Sequence, residues 1–199
     1  ATLTVTVTGV EVTPIRVACV GDSITYGDKA EAGESYPAVL QKLLGARYEV
    51  MNFGVCGATA QSDKAPYVGS TPYTNSLASN PDIVIMMLGT NDSWNDYWNE
   101  EQFVSDYTSL IEEYMYLENK PEVYLAISPA CYIESNISAV TAKQREIAAE
   151  LGIKTVDMYS FTENHGNWFA DGVHPNAGGY ALMARAFAKA VFGKAIKGD

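Results

Sequence analysis

Short apolar runs alternate with longer segments of helical spacing through most of this chain. The runs cover residues 15–20, 48–53, 83–88, 123–127 and 155–158. The segments with helical spacing are 37–44, 103–117, 140–151 and 177–192. Strands that alternate with helices pair in parallel, and the helices cover both faces of their sheet. The alternation therefore predicts an α/β fold around a five-stranded parallel sheet.

The first residues follow a different pattern, in which threonine alternates with apolar residues. This period-two alternation is typical of a strand, and no helical segment follows it before residue 15. Two interpretations stay open: an edge strand added to the sheet, or the tail of a preceding β-domain in a longer protein. We therefore divide the chain into an N-terminal β-segment, 1–14, and an α/β domain, 15–199.

A serine comes almost directly after the first apolar run, in the sequence Val20-Gly21-Asp22-Ser23. Function in open parallel sheets gathers at the carboxyl ends of the strands, so we expect Ser23 to face a crevice there. A hydroxyl is a weak nucleophile until a base accepts its proton and donors stabilise the oxyanion that forms. Ser23 is therefore a candidate nucleophile that needs a histidine nearby.

The chain has 2 histidines, and one of them has the setting of a catalytic base. His174 lies just before the last helical segment, with Asp171 three residues upstream across a glycine-containing turn. Such a turn brings the carboxylate to one imidazole nitrogen and leaves the other for Ser23, as in a Ser-His-Asp triad. His165 has Glu163 nearby but lacks this compact arrangement, and we expect it to be dispensable.

Two further strand ends carry groups that can stabilise an oxyanion. Gly54 follows the second run and offers a backbone N–H with no side chain in the way, and Asn91 follows the third and offers a side-chain amide. Each has an ordinary alternative, a turn glycine and a capping asparagine. Their joint placement at successive strand ends favours an oxyanion hole.

These blocks resemble the four sequence blocks of the SGNH (GDSL-like) hydrolase superfamily, in the family's order. The resemblance extends over about residues 15–192, and the matching residues are Gly21-Asp22-Ser23, Gly54, Gly89-Thr90-Asn91-Asp92 and Asp171 with His174. The first block departs from the familiar leucine-containing form by having Ile24. The resemblance implies a flavodoxin-like three-layer α/β/α sandwich, a catalytic triad, and neither metal nor cofactor. It also implies that the oxyanion donors are the N–H groups of Ser23 and Gly54 and the amide of Asn91.

Residues outside these blocks favour a short acyl group carried by a carbohydrate. The segment 58–76 is polar and offers no long apolar stretch for a fatty chain, and no hydrophobic lid is evident. Flat sugar faces pack on aromatic rings, so four aromatic residues are candidate substrate contacts at the rim: Trp94, Trp98, Tyr132 and Trp168. Segments 35–40 and 80–85 also resemble bacterial carbohydrate acetyl esterases. We therefore expect a serine esterase that removes O-acetyl groups from carbohydrate or polysaccharide.

Two other functions stay open. A lysophospholipase or thioesterase would use the same triad on longer acyl chains. A non-catalytic carbohydrate-binding module would keep the fold without the chemistry, although the intact set of Ser23, His174, Asp171 and Asn91 argues against it.

Charge and composition limit the partners. The chain has 13 basic and 24 acidic residues, and its net charge of −11 disfavours binding to nucleic acid and to anionic membranes. None of the 3 cysteines belongs to a CxxC pair, so a structural zinc site is not expected. An acidic, cysteine-poor domain with an attached β-segment fits a bacterial enzyme that is secreted or held at the cell surface. Further domains of a larger secreted protein are then expected as partners.

Overall fold

The computed structural model describes residues 13–193, which contain a sheet of five parallel strands. The strands are β1 (Ile15–Gly21), β2 (Tyr48–Gly54), β3 (Ile83–Met87), β4 (Glu122–Ile127) and β5 (Lys154–Asp157). They lie in the order β2-β1-β3-β4-β5, and each neighbouring pair is parallel. The predicted five-stranded parallel sheet is confirmed, and each strand begins and ends within about one residue of a predicted run.

Seven α-helices connect and follow these strands in the described part of the chain. They are α1 (Ser23–Tyr26), α2 (Tyr36–Leu44), α3 (Thr71–Ala78), α4 (Glu100–Met115), α5 (Ile137–Leu151), α6 (Met158–Thr162) and α7 (Ala177–Phe192). Short 3-10 turns lie at Asn91–Ser93 and Gly166–Trp168. The predicted helical segments correspond to α2, α4, α5 and α7.

Helix α3 overlaps the polar segment 58–76, for which the sequence predicted no helix. The Ser70 side chain caps this helix by accepting a hydrogen bond from the Tyr73 N–H at 3.1 Å, and Pro72 lies in the first turn. Only Ser76 of α3 is buried, so the segment lacks the apolar periodicity that reveals a helix in sequence. Serine is a common helix cap, but without an apolar face the segment gives no periodic pattern, so the sequence did not predict this helix.

Side chains of the central strands point alternately into two helical layers, because successive strand residues face opposite sides of a sheet. One layer contains α3, α4 and α5, and the other contains α2 and α7. Fully buried residues of β1 and β3 enter both: Ala18, Val20, Val84 and Met86 in the first, and Val17, Cys19, Ile85 and Met87 in the second. The three-layer α/β/α sandwich is therefore confirmed.

The strand order also produces a crevice that can hold a ligand. From β1 the chain passes to β2 on one side of it, and later to β3 on the other side. Loops at such a reversal part from each other and leave a crevice at the carboxyl ends of the strands, where open α/β sheets bind ligands. Helix α1 begins at this crevice, and its first residue is Ser23.

The N-terminal β-segment lies almost entirely outside the described residues, which include only 13 and 14 of it. The division between 1–14 and 15–199 therefore stays a prediction. Among the helices within 13–193, none has the length and apolarity that crossing a membrane requires.

Candidate active site

Ser23 and His174 lie 151 residues apart in sequence, and the fold brings them into contact. Ser23 Oγ lies 2.9 Å from Nε2 of His174, and Nδ1 of the same ring lies 2.9 Å from Oδ2 of Asp171. A neutral imidazole has one N–H and one bare nitrogen. With its proton on Nδ1 and directed at the carboxylate, the ring leaves Nε2 to accept the serine proton. The three side chains thus form one hydrogen-bonded series.

The turn that begins at Asp171 holds its carboxylate in place. Oδ1 accepts hydrogen bonds from the N–H groups of Val173 at 3.0 Å and His174 at 2.8 Å. Burial raises the pKa of Asp171, but the hydrogen bonds from His174 and Val173 outweigh burial and lower the pKa to about 2. The carboxylate is therefore ionised at neutral pH and faces the ring nitrogen with a full negative charge.

Asp22 fixes the start of the helix that carries the serine. Its Oδ1 accepts a hydrogen bond from the Ile24 N–H at 2.9 Å, while its Oδ2 has no partner among the described residues. Burial raises the pKa of Asp22 to about 7. A partly protonated carboxyl suits this position, since a buried, fully charged oxygen without a donor is costly.

The three predicted oxyanion donors differ in what they bind. The Ser23 N–H is at the first position of α1, so it has no acceptor within the helix. Asn91 donates one amide proton to the Ala58 carbonyl at 2.9 Å and keeps the other. The Gly54 N–H donates to Oδ1 of Asn52 at 2.9 Å. The Ser23 N–H and one amide proton of Asn91 are therefore open to a ligand, whereas the Gly54 N–H is already bonded to Asn52.

Close approach of α1 to the end of β2 explains the glycine at position 54. A Cβ there would overlap the backbone nitrogen of Tyr26 and lie 2.5 Å from the Tyr26 Cα. No rotamer change relieves a clash with backbone atoms. The end of β2 can therefore lie directly beside the helix that carries Ser23 only if residue 54 has no side chain.

Residues 19–182 match the model of the GDSL-like lipase/acylhydrolase family. The chain belongs to this family. The resemblance expected from the four sequence blocks is thereby confirmed, together with the class of enzyme, a carboxylic ester hydrolase.

Two curated relatives and two solved structures illustrate the similarity of this GDSL-like hydrolase to other proteins. An acetylxylan esterase from Xylanibacter ruminicola is 31% identical over 209 aligned positions, which cover 89% of this chain and 43% of the relative. An acetylxylan esterase from Geobacillus stearothermophilus is 26% identical, with 86% and 91% covered. The chain thus spans less than half the length of the Xylanibacter protein and most of the Geobacillus protein.

The solved structures support the fold. A lipase/acylhydrolase from Enterococcus faecalis superposes with a TM-score of 0.75 at 22% identity, covering 90% of this chain and 96% of the other. A carbohydrate acetylesterase family member from Sinorhizobium meliloti gives a TM-score of 0.70 at 22% identity, covering 89% and 97%. The three-layer architecture of this GDSL-like hydrolase is therefore shared along nearly the whole of each structure.

A carboxylate that sequence reasoning missed faces the same imidazole. Oδ2 of Asp28 lies 3.5 Å from Nε2 of His174. Asp28 belongs to the loop between α1 and α2, outside the family's blocks, and its carbonyl accepts a hydrogen bond from the Tyr180 hydroxyl at 2.7 Å. Because that anchor is 152 residues away, no local pattern could have revealed Asp28.

Two of the four predicted aromatic contacts follow the turn that carries Asn91. Trp94 donates a hydrogen bond from Nε1 to Oδ1 of Asn91 at 3.3 Å, which places it beside this predicted oxyanion donor. Trp98 packs against the core, and its ring lies 5.3 Å from that of Phe103. Trp94 is thus the one of the pair with a direct bond to the site.

The other two aromatic residues gather around His165. The Tyr132 hydroxyl accepts a hydrogen bond from the His165 N–H at 2.9 Å, and the His165 ring stacks on Trp168 with 3.7 Å between ring centres. Trp168 also lines a cavity of about 510 Å³ between β5 and α7, whose lining contains no member of the triad. Substrate contact by Trp94, Trp98, Tyr132 and Trp168 stays a prediction.

Within residues 13–193, no three side chains from His, Cys, Asp and Glu come together in a way that could hold a metal ion. The arrangement around Ser23 brings the predicted nucleophile and base into contact and leaves two of the predicted oxyanion donors open. That is the set of groups that acyl transfer through a serine requires.

Replacing Asn91 by alanine is expected to lower kcat by about 100- to 1,000-fold, the usual effect of losing one oxyanion donor. KM should change little, because this contact strengthens only as the oxyanion forms. Steady-state kinetics on an acetyl ester tests this, with Asn75→Ala on the exposed face of α3 as the matched control. A higher KM with an unchanged kcat would assign Asn91 to binding of the ground-state substrate instead.

Proposed function

We propose that this chain is a serine esterase that removes acetyl groups from acetylated carbohydrate. The observation that carries the proposal is the series Ser23–His174–Asp171, with both hydrogen bonds at 2.9 Å, in a member of an acylhydrolase family. Acetylated carbohydrate is proposed as the substrate because both curated relatives carry the name acetylxylan esterase.

In the first half of the reaction, Ser23 Oγ attacks the ester carbonyl while Nε2 of His174 accepts the serine proton. The oxyanion of the tetrahedral intermediate is stabilised by the Ser23 N–H and the free amide proton of Asn91. When the intermediate collapses, the bond from carbonyl carbon to alkoxide oxygen breaks. The imidazolium then gives its proton to the departing oxygen, so the sugar leaves as an alcohol and the acetyl group stays on Ser23.

In the second half, a water molecule takes the position of the departed alcohol. Nε2 of His174 accepts a proton from this water as its oxygen attacks the acetyl carbon, and the bond to Ser23 Oγ then breaks. The proton on His174 returns to the serine oxygen, and acetate is released. Throughout, the Asp171 carboxylate stabilises the imidazolium and holds the ring by its Nδ1 proton.

Buried hydrogen bonds fix the loop that follows β2. The buried Asp92 carboxylate accepts hydrogen bonds from the N–H groups of Ala60 at 3.1 Å and Gln61 at 3.0 Å, and from the Gln61 side chain at 3.2 Å. These bonds tie the loop after β2 to the turn after β3. A loop fixed in this way is not free to open a channel for a long acyl chain, which supports a short acyl group.

We expect kcat/KM to be highest for the acetyl ester of 4-nitrophenol and to fall by the butyryl or hexanoyl ester. An enzyme that buries a long acyl chain gains roughly 0.8 kcal/mol, about fourfold, for each added CH₂. Release of acetate from acetylated xylan should accompany the preference for acetyl, and Ser23→Ala serves as the inactive control. Activity that rises through the octanoyl ester would favour a lysophospholipase or thioesterase. No turnover of any ester would favour a carbohydrate-binding module.

The size of the proposed substrate indicates where the enzyme acts. A polysaccharide is too large to enter an intact cell, so the proposal includes secretion or attachment at the cell surface of a bacterium. The Xylanibacter relative is more than twice as long as its matching part, which is compatible with further domains beside this one. Fractionation of the native host, with an antibody raised against this domain, would test the location.

A further inference from the structure

We propose that Asp28 binds the substrate, accepting a hydrogen bond from a hydroxyl on the carbon next to the one that carries the acetyl ester. This proposal rests on the proposed function and deepens it, because it names the class of ester the site recognises. The preferred substrates are monoesters of vicinal diols, as in a partly acetylated sugar with a free neighbouring hydroxyl.

The position of Asp28 relative to the base leads to this class of substrate. The departing oxygen takes its proton from Nε2 of His174, so it has to come within about 3 Å of that nitrogen. Oδ2 of Asp28 stands 3.5 Å from the same nitrogen. The departing oxygen and the Asp28 carboxylate therefore both lie next to Nε2 of His174. A hydroxyl one carbon away from the departing oxygen can turn toward Oδ2, whereas a plain alkyl or aryl group has nothing to donate.

The Asp28 main chain is positioned against the nucleophile. Its N–H donates to the Ser23 carbonyl at 2.9 Å, and its own carbonyl accepts from the Tyr180 hydroxyl at 2.7 Å. Tyr180 is fully buried in α7, so the loop is anchored on both sides. The carboxylate therefore keeps its place relative to Ser23, as a residue that selects substrates must.

The carboxylate itself is available to a ligand. Its side chain is 40% exposed, and within 13–193 no lysine or arginine lies at ion-pair distance from it. Oδ1 accepts a hydrogen bond from the Lys29 N–H at 2.9 Å, which orients the group and leaves Oδ2 toward the cleft. An exposed oxygen beside the reacting atoms, with no lysine or arginine paired to it, is an acceptor for a substrate hydroxyl.

The distance to the ring argues against a role confined to holding the imidazolium. Charge-assisted N–H···O bonds are about 2.7–2.9 Å long, and Asp171 makes one at Nδ1. Asp28 stays 3.5 Å from Nε2, and Ser23 Oγ at 2.9 Å is the nearer partner of that nitrogen. A tight Asp28–Nε2 bond would compete with the serine and with the departing oxygen for the same proton. The longer separation avoids this competition.

The test compares two acetate esters that differ only in the neighbouring hydroxyl: 2-hydroxycyclohexyl acetate and cyclohexyl acetate. We expect the unaltered enzyme to prefer the hydroxylated ester by about 10- to 100-fold in kcat/KM, the range for a hydrogen bond to a charged group. Asp28→Ala should bring this ratio close to one. Asp28→Asn keeps the shape and one acceptor oxygen without the charge, so its ratio should lie between the two.

Glu150→Gln is the matched control, since it removes one negative charge from an exposed position near the end of α5, four residues before β5 begins. That end of the helix lies at the amino edge of the sheet, opposite the site. The control should keep the full preference for the hydroxylated ester. Thermal melting of each variant checks folding, and the near-isosteric Asp28→Asn keeps the test decisive if the alanine variant is unstable.

Three results would overturn the proposal. The unaltered enzyme could hydrolyse both esters equally well, which would show that no neighbouring hydroxyl is recognised. Both Asp28 variants could lose activity equally on the two esters, with the ratio unchanged, which would confine Asp28 to an effect on His174. The unaltered enzyme could hydrolyse neither acetate ester, and that result would overturn the proposed esterase function itself.

Discussion

Replacing His174 by alanine is expected to lower kcat on acetyl esters by about 10⁶-fold, the size of the loss when the base of a serine triad is removed. The reason is the position of Nε2, 2.9 Å from Ser23 Oγ, where it both accepts the serine proton and returns a proton to the departing oxygen. Without the imidazole, the hydroxyl keeps its proton and attacks as a weak nucleophile. Single-turnover and steady-state kinetics at one pH measure the loss.

His165→Ala is the control for this experiment, because it removes the other histidine of the chain. The His165 ring stacks on Trp168, so its removal costs packing at the surface and leaves the triad intact. Most of the activity should therefore remain, with circular dichroism confirming that both variants fold. An inactive His165→Ala beside an active His174→Ala would reverse the assignment of the base.

Asp171→Asn is expected to lower kcat by on the order of 10³-fold, and by no more than the roughly 10⁴-fold known for the matching change in serine proteases. An asparagine amide can donate to Nδ1, which holds the proton on Nε2 and prevents that nitrogen from accepting from Ser23. The loss should be smaller than in the serine proteases because a second carboxylate, that of Asp28, lies 3.5 Å from Nε2 and still favours the imidazolium.

The pH dependence of the two enzymes provides a second measurement. The pKa of Asp171 is lowered to about 2, so its contribution to the free energy of unfolding is fully present above the ordinary range of an aspartate. That contribution is lost only as the pH falls toward 2. The difference in the free energy of unfolding between the unaltered enzyme and Asp171→Asn, measured by denaturant titration, should therefore shrink as the pH falls from about 4 toward 2. A difference that stays unchanged over that range would show that the charge of Asp171 does not stabilise the fold.

Much of the fold could be predicted because the strands that determine it are buried on both faces. Val17 and Ala18 are fully buried in opposite layers, and the same holds along β3, which gives continuous apolar runs that are easy to recognise. The candidate site residues could be proposed because Ser23, Gly54 and Asn91 lie at or shortly after the end of a strand, while Asp171 and His174 shortly precede the last helix. Strand ends in a parallel sheet meet at one edge, so residues far apart in sequence could be placed together.

What could not be predicted depends on contacts between distant segments. Helix α3 has a cap but no apolar stripe, and its place is decided by partly buried residues such as Leu77 that pack against the sheet. Asp28 is positioned by Tyr180 from the last helix. The bond from the Gly54 N–H to Asn52 and the contact of Gly54 with α1 depend on how β2 and α1 lie together in the fold.

The contact between Gly54 and α1 restricts protein engineering of this enzyme. The Tyr26 N–H donates to the Asp22 carbonyl at 2.9 Å, so a side chain at position 54 that moves Tyr26 also pulls on the helix that begins at Ser23. Mutant libraries that aim for larger acyl groups gain nothing from varying position 54.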